Sequence, residues 1–277
     1  MNHDERIGMY VLLVDDSQSY ARIVVEGLAN KHHYRVYYAL DAAEAFQVLS
    51  AQPIDVVIVD VLFRPVMEQF ERLRRKGMVC IERGPFLDSG LAVLRQIGSH
   101  KEQSRPRPKV VVWTDGGDNR LLHMLWAYQQ LNAKAFYYKD AGGNADATLN
   151  RAIQIAASDQ SHISRELEEE GMSSEKLSLS ETLFRDPVRW PYIWRALALG
   201  ATSHPAIAER VQHRFKYKKS VIGDIAQEAD NLNAIPALRG DPLGFCIAYA
   251  NRHHLFFLDS AVKSHFDGLA GFPGIRT

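Results

Sequence analysis

The chain has 277 residues, 46% hydrophobic and 24% charged, with 33 Lys plus Arg balanced by 33 Asp plus Glu. This globular composition is long enough for two domains of about 100–200 residues, and no apolar run reaches the roughly 18 residues needed to cross a bilayer. The opening Met-Asn-His-Asp-Glu-Arg lacks the basic-then-apolar order of a secretory signal, so a cytoplasmic protein with no membrane partner is expected.

The first 158 residues alternate short β-branched runs with helical patterns, the signature of a parallel sheet with crossover helices. Strands are predicted at Met9–Val14, Tyr34–Ala39, Ile54–Val59, Lys109–Trp113 and Ala135–Tyr138. Val11-Leu-Leu-Val14, Val56-Val-Ile-Val59 and Val110-Val-Val112 are continuous apolar runs, as strands covered on both faces require. Helical patterns fall at about 17–30, 42–50, 88–98, 118–131 and 144–157. Asp41-x-x-Glu44 is a capping box for the second of these, and Asn144 is a cap for the last.

One connection is too long. Between Asp60 and Asp88 lie 27 residues, where βα loops usually have about 2–6. The insertion, at about 63–87, is basic and includes Arg64, Arg72, Arg74, Arg75, Lys76 and Arg83, with a short helix expected over Glu68–Lys76. It reads as a lid, an interaction surface or an elaborated solvated loop. Residues 159–180 read as an acidic linker containing Glu166-Leu-Glu-Glu-Glu170, and a second capping box, Ser178-x-x-Glu181, opens a helical region running to about residue 233 within a domain over 181–277. The tail of that domain from Asp241 has one more helical segment, Leu243–Asn251, and an apolar stretch, Leu255–Leu258. Cys80 and Cys246 are too far apart to suggest a disulfide framework or a thiolate metal site, and the His pairs 32–33 and 253–254 lack helical ligand spacing.

In an open parallel sheet, ligands bind outside the carboxyl ends of the strands, so the polar residues there carry the information. Strand one ends in Asp15-Asp16, strand three in Asp60, strand four in Thr114 and strand five in Lys139. Three converging carboxylates need a cation, and an all-oxygen set suits Mg²⁺. Asp60 then acts as nucleophile on a phosphorylated donor, with Thr114 and Lys139 holding the aspartyl phosphate.

In this order, Val11-Leu-Leu-Val-Asp15-Asp16, Val56-Val-Ile-Val-Asp60, Val110-Val-Val-Trp-Thr114 and Ala135-Phe136-Tyr-Tyr-Lys139 resemble the receiver domain of bacterial two-component response regulators over about residues 8–158. The resemblance implies a flavodoxin-like, doubly wound five-stranded α/β sheet with Asp60 as phospho-acceptor. It also implies Asp15, Asp16, Asp60 and the main-chain carbonyl of Leu62 as Mg²⁺ ligands, and Thr114 and Phe136 with Lys139 as switch residues. Asp115, directly after Thr114, replaces the usual small residue and is expected to repel an anionic donor.

From 181 onward basic charge is concentrated. Arg210, Arg214, Lys216, Lys218 and Lys219 alternate with His213, Phe215 and Tyr217, a pattern suited to phosphate contact. Tyr192–Gly200, Ser203–Val211 and Lys218–Ala226 read as helix, turn, helix, turn, helix, similar to the LuxR/NarL-type helix-turn-helix module over about 185–233. Lys218, Lys219 and Ser220 are the groove candidates, and Arg214 and Lys216 the phosphate contacts. By segment, net charge is +1 over 1–158, −4 over 159–180 and +3 over 181–277, so the overall balance conceals a basic output domain.

The reading is a homodimeric DNA-binding regulator, not an enzyme, phosphorylated by a cognate histidine kinase or a small phosphodonor. A phosphorylation-independent regulator that uses the same fold as a dimerisation or ligand-binding scaffold is the alternative. An aspartate-nucleophile phosphatase would need an Asp-x-Asp motif, which Asp60-Val-Leu62 lacks.

Overall fold

The computed structural model describes residues 8–64, 68, 72, 88–99, 106–115, 117–139, 145–169, 178–230 and 240–270. Two compact units are present: the described residues 8–64 and 88–169 form the first, and 178–230 with 240–270 form the second, to which the described insertion residues 68 and 72 also belong. The expected helix over Glu68–Lys76, most of the 63–87 insertion, Cys80 and the Asn144 cap lie outside the described residues.

The first unit is a parallel sheet in the order β2-β1-β3-β4-β5-β6, with β1 Tyr10–Val14, β2 Arg35–Ala39, β3 Val56–Val59, β4 Lys109–Thr114, β5 Ala135–Tyr138 and β6 His162–Ile163. All four β3 residues are buried, as are Val11–Val14 of β1, while β2 at the sheet edge is partly exposed. Among the described residues, the helices between the strands are α1 Gln18–His32, α2 Ala42–Ala51, α3 Gly90–Ser99, α4 Asp118–Gln130 and α5 Ala145–Ala157. Val11, Leu13, Val56, Ile58, Val111 and Trp113 form one core with Ala21, Val24 and Leu28 of α1 and Leu149, Ala152 and Ile153 of α5. The alternate residues Leu12, Val14, Val57, Val59 and Val112 are buried on the opposite face.

The capping box before α2 forms: the Glu44 amide donates to Asp41 Oδ1 at 2.8 Å, and Glu44 reaches back to the Leu40 amide at 2.8 Å. The sheet has one more strand than expected. β6 falls in the stretch read as linker, pairing Ala135 with His162 and Phe136 with Ile163, and is followed by the short helix α6, Arg165–Glu169, which buries Leu167.

The second unit is helical: α7 Leu179–Thr182, α8 Trp190–Ala198, α9 His204–Val211, α10 Ser220–Asp230, α11 Pro242–Arg252, α12 His254–Phe257 and α13 Ser260–Ala270. Every residue of α8 is buried. Trp194 stacks on Phe257 with centroids 4.7 Å apart, and its indole donates to the Leu183 carbonyl. At the second expected capping box, the Ser178 hydroxyl accepts from the Glu181 amide, but the helix it starts is only one turn long. Among the described residues, no helix is long and apolar enough to cross a membrane.

Candidate functional site

Strand register assembles the site. Parallel pairing sets Val14 beside Val59, and the Asp60 amide donates to the Val14 carbonyl at 3.0 Å, so Asp15 and Asp60 leave adjacent strands side by side. This is where the strand order reverses between β1 and β3, the crevice at which such sheets bind ligands. On the other side, β4 and β5 pair Thr114 with Tyr138, and the Lys139 amide donates to the Thr114 carbonyl.

Asp15, Asp60, Thr114 and Lys139 meet at these strand ends. Lys139 Nζ lies 2.6 Å from Asp60 Oδ2 and 2.7 Å from Asp15 Oδ2, bridging two buried carboxylates. Thr114 Oγ1 donates to Asp60 Oδ1 at 3.1 Å, and the Leu62 amide donates to the same oxygen at 3.2 Å. Burial opposes charge on Lys139, but the two carboxylates outweigh it and hold the ammonium above the usual lysine range. Burial raises the Asp15 pKa, with the Asp60 charge adding to the shift and Lys139 opposing it. Phe136 is fully buried on β5, its ring edge-on to Tyr128 at 6.1 Å.

Asp16 does not join the cluster, because its carboxylate accepts from the Arg64 amide at 3.0 Å. The expected three-carboxylate cage is therefore corrected: among the described residues no group of three or more His, Cys, Asp or Glu side chains is placed to hold a metal. The donor chemistry still fits a hard cation. Two buried carboxylates share one ammonium, which leaves a net negative charge among oxygen donors that a hard cation would offset.

Three neighbours carry no signal in the sequence. Tyr20 accepts from the Trp113 indole at 2.7 Å, and its ring lies 5.8 Å from Lys139 Nζ; burial pushes its hydroxyl up to about 12. The Ser17 amide donates to Asp15 Oδ1. Arg120, in the first turn of α4, lies 3.9 Å from Asp60 Oδ1 and 3.7 Å from Asp115 Oδ2. Asp115, expected to repel an anionic donor, thus has a cationic neighbour.

The raised Asp15 pKa has a definite sign. Between the usual value of 3.8 and its higher folded value, the folded state keeps a proton that the unfolded chain releases, so stability falls as pH rises through that window. Asp15→Asn is expected to be more stable than wild type at pH 7 and to lose that advantage below about pH 4. Urea unfolding at the two pH values measures this, and equal stability at pH 7 contradicts it.

In the second unit, Arg214, Lys216, Lys218, Lys219 and Ser220 are all exposed on the segment leading into α10. The Arg214 guanidinium lies 5.0 Å from the Tyr192 ring centre. Tyr217 is tied to His204 by a 2.7 Å hydrogen bond, which anchors this basic segment to the start of α9. α10 buries Val221, Ile222, Ile225 and Ala229 and exposes Gly223, Asp224 and Gln227, so a carboxylate stands on its outer face. The helix packs chiefly on α11 and α7, whereas α9 packs on α8. The apolar Phe245, Cys246 and Tyr249 of α11 supply the covering face, and Cys246 is a buried free thiol.

No family model matches the sequence, and no curated protein matches it. Solved structures do. RcsB from Salmonella enterica serovar Typhimurium, bound to promoter rprA with phosphomimetic BeF3⁻, is 15% identical over 86% of this chain and 98% of its own, with a TM-score of 0.46. A Burkholderia pseudomallei response regulator with a phosphorylated aspartic acid, calcium ion and citrate is 20% identical over 76% of this chain and 99% of its own, at 0.39. DrrB of Thermotoga maritima, an OmpR/PhoB homolog, is 18% identical at 0.37, covering 56% of this chain and 55% of its own. The doubly wound α/β class rests on the strand order, and the site on its own geometry.

Proposed function

We propose that the chain is a DNA-binding response regulator rather than an enzyme, with Asp60 as its phosphorylation site. The observation that carries this reading is the buried Asp60 carboxylate, held by Lys139 at 2.6 Å and by the Thr114 hydroxyl at 3.1 Å, at the strand-order reversal. An ionised Asp60 oxygen forms a bond to phosphorus of a phosphohistidine or acyl phosphate. The bond from phosphorus to the donor's nitrogen or oxygen breaks, and the leaving group takes the electron pair. Lys139 and Thr114 already hydrogen-bond the acceptor, so they are placed to meet charge as it moves to the phosphoryl oxygens. Asp15, Asp60 and the Leu62 carbonyl would hold Mg²⁺. A bound Mg²⁺ supplies charge neutralisation on the transferring group.

Asp60→Asn is expected to abolish labelling by radiolabelled acetyl phosphate, and removing Mg²⁺ with a chelator is expected to do the same to wild type. Unchanged labelling of Asp60→Asn overturns the assignment.

Phosphorylation then shifts the population of the first unit between two arrangements, changing dimerisation or release of the second unit. DNA contact is assigned to the exposed Arg214, Lys216, Lys218, Lys219 and Ser220 at the start of α10, where cations and a helix N-terminus suit phosphate. Selection of bound sequences from a random DNA library, with and without phosphodonor, tests the reading, and failure to enrich any sequence in either state overturns it. With a selected site, Lys218→Ala and Lys219→Ala are each expected to reduce the slope of log affinity against log salt by about 1. Equal DNA affinity in the phosphorylated and unphosphorylated states would favour the phosphorylation-independent reading.

A further inference from the structure

Arg120 occupies an unusual position. Its side chain is 15% exposed, and its Nε is buried without a hydrogen-bond partner. Two carboxylates flank it, Asp60 Oδ1 at 3.9 Å from Nε and Asp115 Oδ2 at 3.7 Å from Nη2. Both separations are beyond normal hydrogen-bond length, though within range for strong Coulomb attraction. A buried guanidinium N–H left unpaired costs free energy that a native structure ordinarily avoids. The orphaned donor faces the side of Asp60 away from Lys139, which contacts Oδ2.

Charge points the same way. Among the described side chains, Asp15, Asp60 and Asp115 form ion pairs with Lys139 and Arg120 alone, three carboxylates against two cations. Lys139 is already shared by two carboxylates at close range. Arg120 is the cation that hydrogen-bonds neither of its own, so it can turn to a new anion without giving up a formed bond.

We propose that Arg120 is a second anchor for the phosphoryl group on Asp60, and that Asp115 is its competitor, restraining the guanidinium when Asp60 bears no phosphoryl group. The proposal rests on Asp60 being the acceptor. An anchored phosphoryl oxygen would satisfy Nε with a charge-assisted hydrogen bond, which the planar fork of Arg makes with fixed geometry. Asp115, 44% exposed and on the loop before α4, then sets how readily Arg120 is released.

The test uses the full chain with Mg²⁺ and beryllofluoride, a non-covalent phosphoryl analogue, and reads affinity by titration calorimetry. Arg120→Ala is expected to weaken beryllofluoride binding about 10- to 100-fold, the loss of one charge-assisted hydrogen bond. Arg120→Lys, which keeps the charge and loses the fork, should recover part of that loss. Asp115→Ala is expected to tighten binding about 2- to 5-fold by freeing Arg120, on the scale of a partly exposed ion pair.

That gain should vanish in the Arg120→Ala background. This outcome separates release of Arg120 from a general relief of negative charge, and Asp115→Ala keeps the proposal testable should Arg120→Ala fold poorly. Wild-type affinity in a folded Arg120→Ala, or an Asp115→Ala gain that persists without Arg120, overturns the proposal. Wild-type protein that binds no beryllofluoride overturns the assignment of Asp60 as acceptor, and the anchor with it.

Discussion

Replacing Lys139 by alanine is expected to lower the stability of the first unit by about 3–5 kcal/mol at neutral pH, the cost of leaving a buried charge without its partner. The ammonium stands between Asp15 and Asp60 at 2.7 and 2.6 Å, and both carboxylates are buried. Without it, the cation left beside them among the described residues is Arg120, 3.9 Å from Asp60. Adding Asp15→Asn to the alanine variant should recover part of the loss, because one of the two stranded charges is gone. Urea unfolding of the single and double variants measures both effects. A single variant as stable as wild type would mean that the bridge contributes nothing.

The same bridge fixes the behaviour at high pH. Lys139 has a folded pKa above its ordinary 10.5, so its contribution is complete below that value and disappears as pH rises through the higher folded one. Alkaline unfolding of wild type should thus include a component that the alanine variant lacks.

Much of the first unit is legible in the sequence because its strands are buried on both faces. A run such as Val56–Val59 has no polar residue to place, and its end is marked by the first carboxylate, Asp60. The same logic locates Asp15, Thr114 and Lys139, since a polar side chain directly after such a run sits at the sheet edge. β6 is different. His162–Ile163 is two residues long, follows an Asp in left-handed conformation and is held by pairing with β5, so no periodicity announces it. Asp16 is equally hidden, because its orientation depends on the backbone amide of Arg64, 48 positions away. Arg120 reaches the site from the side of a helix, and that approach is set by how α4 lies against the sheet. In the second unit the helix positions of the basic segment are legible, whereas the packing of α10 on α11 is not, because both helices carry apolar faces that fit several partners.

Gly90→Ala is expected to damage the site from behind. A Cβ at Gly90 would stand 1.9 Å from the Asp60 carbonyl oxygen and 2.9 Å from Val59 Cγ2, both fixed in or beside β3. The Gly90 amide also donates to the Val61 carbonyl at 3.2 Å, which ties the start of α3 to the chain just past the acceptor. Neither neighbour is the free end of a flexible side chain, so relief requires moving the strand end or the helix. Overpacking of this kind costs about 1–3 kcal/mol or more. Displacing the acceptor by about 1 Å is expected to slow phosphodonor labelling by about 100-fold. Gly98, in the same helix with nothing within 4 Å of its Cβ position, is the control. Gly98→Ala should label normally and gain about 0.5–1 kcal/mol from reduced backbone freedom in the unfolded chain. Thermal unfolding and acetyl phosphate labelling of the two variants separate a local clash from a general loss of helix. Wild-type values for Gly90→Ala would show that the close approach of α3 to Asp60 is not what holds the acceptor in place.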